Sequence, residues 1–128
     1  MTNRKPFLKA GFGLLLLGAS GSAFGQGQSV AVLGAVVDPL CGAATTDSLW
    51  CTGEFSTIDY IDVSAGNPTP TGADLLAGGY SAVLIFVEQG VSFADPIAMG
   101  DSLYDYVQGG GGVVVANNAF TLGSQLEG

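Results

Sequence analysis

Beyond Lys9 the chain carries eleven carboxylates and no Lys, Arg or His side chain. Proton-transfer or ligand chemistry would therefore rest on oxygen groups. Those best placed for it stand at or just past the ends of apolar runs: Asp38, Asp62, Glu88, Asn117 and Asn118. Carboxylates and amides of this kind suit three chemistries. They could hold a hard cation such as calcium, which takes carboxylate and carbonyl oxygens. They could bind sugar hydroxyls, with Tyr60 or Trp50 as a stacking surface. A carboxylate pair such as Asp62 and Glu88 could also support hydrolysis by general acid and base. Each residue has a structural use as well. Asp38 and Asp95 precede prolines, where Asp caps a helix or opens a turn. Asp59 and Asp62 alternate with apolar residues, as on the solvent face of an edge strand, and Asn commonly satisfies loop backbone.

The missing cations exclude more than the acids suggest. The three basic residues, Arg4, Lys5 and Lys9, precede all 11 acidic ones, so the chain after Lys9 has a formal charge of −11. Binding to nucleic acid or anionic lipid depends on Lys and Arg and is not expected. Histidine-based nucleophile activation and histidine metal ligation are excluded too. The acid excess suits solubility, or attraction of cationic partners.

The basic residues belong to a segment with another purpose. A cationic start is followed by a ten-residue apolar run at 10–19 (AGFGLLLLGA), then by small residues up to Gly25. That order is characteristic of a secretory signal peptide. The run is shorter than the roughly 20 residues that cross a bilayer. Residues 1–25 are therefore expected to be removed, with cleavage after Gly25 or after Ala23, leaving a secreted or periplasmic chain with no stable membrane insertion. In an oxidising compartment Cys41 and Cys51 are expected to form a structural disulfide. Their spacing is not that of a redox or zinc motif.

The remainder, residues 26–128, reads as one α/β domain. Compact apolar runs at 29–33 (SVAVL), 56–63 (STIDYIDV), 80–87 (YSAVLIFV) and 112–116 (GVVVA) predict strands. Helices are predicted over 40–51, 72–77 and from Pro96 to Gly109. The last is capped by Asp95, shows Ile97, Gly100, Leu103, Tyr104 and Val107 on one face, and has a left-handed glycine stop at Gly109. Strands alternating with helices predict a three-layer parallel sheet with right-handed crossovers. The glycines at 109–112 follow a helix and precede a strand, the reverse of a phosphate cradle.

The stretches YSAVLIFVEQG and FADPIAMGDSLYDYVQGGGGVVVANNAF resemble the class I glutamine amidotransferase-like superfamily, especially its trehalose-utilisation-type branch. There a helix ending in Tyr-Val-x-x-Gly-Gly-Gly leads into an apolar strand. Here these residues are Tyr106, Val107, Gly109, Gly110 and Gly111. The resemblance, over roughly residues 30–120, implies a flavodoxin-like sheet of about four strands in the order 2-1-3-4, with a crevice at the strands' carboxyl ends. Catalytic relatives place a cysteine after the strand that residues 112–116 match and recruit a later histidine. Asn117 and Asn118 stand here instead, and the chain has no histidine.

The sequence therefore predicts an exported, non-catalytic domain that binds or scaffolds. The alternative is a carboxylate-based, carbohydrate-related hydrolase completed by residues past position 128. The sheet is expected to be incomplete. The edge at residues 112–116 is then left to pair with a missing C-terminal part or with a partner strand.

Overall fold

The computed structural model describes residues 27–116. The expected leader, Asn117 and Asn118 lie outside the described residues. The elements run β1 (Gln28–Ala35), α1 (Pro39–Trp50), β2 (Phe55–Asp62), α2 (Gly72–Ala77), β3 (Ala82–Val87), α3 (Pro96–Gln108) and β4 (Gly112–Val115). All strand pairs are parallel, in the order β2-β1-β3-β4, and the sheet is open. This is the predicted α/β architecture.

Strand order follows from burial. β1 lies between β2 and β3, and Val30, Ala31, Val32, Leu33 and Ala35 are all buried, so both faces of the strand must be apolar. The step from β1 to β2 runs one way along the sheet, and the steps to β3 and β4 run the other way. Right-handed crossovers then set α1 on one face and α2 with α3 on the opposite face. Beneath α2 and α3 a larger core gathers Leu33, Val83, Ile85, Leu75, Met99, Leu103 and Tyr106. The α1 side holds a smaller one, in which Val30, Val32 and Ile58 meet Leu49, Phe55, Tyr60 and Phe86.

Small residues make the α1 packing possible. An added Cβ at Gly34 or Gly42 would come within 2.6 Å or 2.5 Å of the Tyr60 ring. Tyr60 therefore fills a slot between β1 and α1, and its hydroxyl donates to the Gly34 carbonyl at 3.3 Å. On the other face Tyr106, fully buried, donates to the Tyr80 carbonyl at 2.7 Å.

Two sequence expectations for α3 need correction. The buried stripe is Met99, Ser102, Leu103 and Tyr106, whereas Ile97, Tyr104 and Val107 are exposed. The apolar residues outnumber one stripe, and the large Met99 and Tyr106 side chains fill the space over the sheet. Ser102 is tolerated there because its hydroxyl donates to the Ala98 carbonyl at 2.6 Å. The left-handed residue after the helix is Gly110, at φ 98°, since Gly109 still has right-handed helical geometry.

Candidate functional site

The connections after β1 and β3 depart to opposite faces, which opens a crevice at their carboxyl ends. Ligands of open α/β sheets bind at such a switch point. Here one of the chain's own carboxylates spans it. Glu88 follows β3 and its Oε2 accepts the Val37 N–H at 2.8 Å and the Asp38 N–H at 3.4 Å. The Glu88 N–H in turn donates to the Ala35 carbonyl at 2.9 Å. The loop amides ahead of α1, which in a binding fold would face an anionic group, are engaged within the molecule.

The other sequence candidates are also fastened locally. Asp38 is the N-cap of α1, with Oδ1 accepting the Leu40 N–H at 2.9 Å. Pro39 begins the helix, where its missing N–H costs nothing. Asp62 Oδ1 accepts the Ser64 N–H at 2.9 Å and the Ser64 hydroxyl at 2.6 Å, and Asn67 donates to that same hydroxyl oxygen at 3.2 Å. The Ala94 N–H donates to the Val63 carbonyl at 3.0 Å, tying this turn to the segment before α3. Asp95 caps α3 through the Ala98 N–H at 3.0 Å.

The structure thus brings Asp38 and Glu88 to one loop and leaves Asp62 apart. β1 separates the strand that ends in Asp62 from the one that precedes Glu88, about 10 Å between their axes. Among the described residues no group of three His, Cys, Asp or Glu side chains is arranged to hold a metal ion. The aromatic candidates do not join the crevice. Tyr60 is in its glycine slot, and Trp50 ends α1, near the amino ends of the strands.

The expected disulfide is overturned. Cys41 lies in the first turn of α1 and Cys51 is its C-cap, and both are free thiols. Ten residues of helix separate them by about 15 Å. A disulfide needs Cα atoms roughly 4.4–6.8 Å apart. The helix that places Cys51 far from the crevice brings Cys41 to it, a location the strand–Asp-Pro–helix pattern already contained. Burial pushes the Cys41 thiol pKa up, and the nearby carboxylates of Glu88 and Asp38 add to the rise. A thiol held protonated is a poor nucleophile.

The mouth of the crevice is apolar where the acids are not. Val37 is 78% exposed and Leu40 73%, standing as a lip beside the carboxylates. A shallow groove of about 180 Å³ lies elsewhere, on the α1 side, lined by residues including Val30, Leu49, Phe55, Leu84 and Val114. None of the described helices is long and apolar enough to cross a membrane. Comparison with protein-family models, curated proteins and solved structures returns no match.

Proposed function

We propose that this chain is an exported α/β domain that binds or scaffolds and does not catalyse. The observation that carries the reading is the engagement of Asp38, Asp62 and Glu88 with neighbouring loop backbone. A general acid or base must be able to reach a substrate proton. In each of the three, one carboxylate oxygen is instead committed to holding a loop at the carboxyl ends of the strands. The thiol beside them is driven toward its unreactive protonated form. Kinship with the amidotransferase-like superfamily is part of the proposal, supported by the strand order and by the glycines joining α3 to β4. The reading requires no cofactor. Its partners would be cationic or apolar groups, because the acidic crevice mouth repels anions and carries Val37 and Leu40.

The test is turnover by the purified chain of glutamine and of panels of glycosides and esters. No turnover is expected above that of a Glu88→Gln, Asp62→Asn double variant. Turnover that this variant abolishes would overturn the reading and favour a carboxylate-based hydrolase.

A further inference from the structure

The two outer strands of the sheet differ in how they are guarded. β2 carries Asp59 and Asp62, with Glu54 just before it. Charges on an edge strand discourage pairing with another chain. β4 has none: from Gly109 to Ala116 there is no charged residue and no proline. Among the described residues nothing pairs with its outer side.

The backbone of this edge is self-complementary. The N–H groups of Gly112 and Ala116 point inward, donating to the Ser81 and Ile85 carbonyls of the β3 side at 3.3 and 2.8 Å. Alternation along a strand then turns the N–H and C=O groups of Val113 and Val115 outward. We propose that the edge is the interface between two copies of this chain, paired antiparallel about a two-fold axis through Val114. Val113 of each copy then faces Val115 of the other, and all four outward groups of each strand are used. Val114 meets its own counterpart at the close, non-hydrogen-bonded position.

Side-chain exposure fits this register. Val114, 58% exposed, points to the α1 side and also lines the apolar groove there. A two-fold axis perpendicular to the sheet keeps both α1 faces on one side, so the two grooves join into one apolar surface across the axis. Charge selects this edge over the other. Two copies that both carry a large negative charge repel, least where neither presents a carboxylate. The inference rests on the unguarded edge and is independent of whether the crevice catalyses.

Sedimentation velocity of the full chain over a concentration series tests it, with Val114→Lys and Val115→Pro beside the wild type. Val114→Lys sets like charges opposite each other. Val115→Pro removes a donor that points away from β3, so the internal ladder keeps its bonds. A dimer is expected for the wild type, strengthened by added salt, which screens the repulsion. Both variants should sediment as monomers with the wild-type circular dichroism spectrum. A wild type that stays monomeric overturns the proposal, whether another segment or nothing covers the edge. A dimer that persists in both variants places the interface elsewhere and overturns it equally. If either variant unfolds, hydrogen exchange on the wild type decides. Protection of the Val113 and Val115 amides must increase with protein concentration, and fast exchange at every concentration refutes the pairing.

Discussion

The Glu88 carboxylate accepts the backbone N–H of Val37 at 2.8 Å, joining the ends of β3 and β1 across the crevice. Fifty-one positions separate the two residues, so the contact exists only when the sheet is assembled. It makes Glu88 a fastener for the loop that leads into Asp38 and α1.

Glu88→Ala should therefore lower stability by about 1 kcal/mol, the usual net worth of such a bond at a site that water can reach. Glu88→Gln retains an acceptor oxygen and should cost less. Chemical denaturation measures both. Hydrogen exchange at the Val37 amide should accelerate in the alanine variant first.

The Tyr60 slot predicts a coupled pair. Gly42→Ala should destabilise by about 1–3 kcal/mol, because the added methyl meets the ring and the helix must shift. In a Tyr60→Val background that clash disappears. The same Gly42→Ala change should then be neutral or stabilising, since alanine is the better helix former by roughly 1 kcal/mol. A double-mutant cycle by urea unfolding reads the coupling, and additive effects would contradict the slot.

Alkaline pH should ionise Tyr106, which is buried, and Tyr60, which is half-buried. Burial pushes the pKa of Tyr106 up from its ordinary value near 10, and that of Tyr60 likewise, with Asp62 contributing to the latter. A folded pKa above the unfolded one means that stability is complete below about pH 10 and is lost as pH rises through the folded value. Tyr106→Phe should flatten part of this alkaline loss while lowering neutral stability by about 1 kcal/mol, because the bond to the Tyr80 carbonyl is gone. Thermal melts between pH 8 and about 11 would show both effects.

The acid limb has a separate source in α2. Thr71 and Asp74 form a reciprocal capping box, and the Thr71 hydroxyl and N–H hold the Asp74 carboxyl pKa below its usual 3.8. The folded pKa is depressed, so this contribution is present above the unfolded pKa and lost as pH falls through the folded value. Asp74→Asn should reduce the acid sensitivity of the melt. An unchanged acid limb in that variant would show that the box has no part in it.

Both cysteines should titrate as thiols in the purified chain, and its melting temperature should not respond to a reductant. Cys41 should react with a thiol reagent more slowly than an ordinary cysteine, because burial, Glu88 and Asp38 disfavour its thiolate. Recovery of an intramolecular Cys41–Cys51 crosslink by peptide mass analysis would contradict the helix between them.

Strand and helix positions were legible from local pattern. Residues 29–33, 80–87 and 112–116 are apolar because covered strands need no polar face, and Asp38-Pro39 and Asp95-Pro96 begin helices by capping chemistry that acts within four residues. The absence of Lys, Arg and His after Lys9 is read from composition alone, and with it the expectation that nucleic acid and anionic lipid are not partners. Interactions between distant residues were not legible. Periodicity could not tell which stripe of α3 would meet the sheet, because Ile97, Tyr104 and Val107 are as apolar as the residues actually buried. The disulfide is a different case: the helix predicted over 40–51 by itself holds Cys41 and Cys51 about 15 Å apart, so local pattern already opposes the pairing. Asp62 ends β2 and Glu88 follows β3, positions the apolar runs imply, yet their engagement is invisible in the sequence, since a hydrogen bond from Val37 to Glu88 leaves no trace in spacing.

Composition and short-range pattern thus determined the elements, their order along the chain and the chemical inventory, all of which depend on neighbours within a few residues. Tertiary structure alone decided that Glu88 bridges the crevice to Val37, that Tyr60 has a slot to fill and that β4 presents an uncharged edge. Each of these depends on which distant segments the sheet brings within a few ångströms.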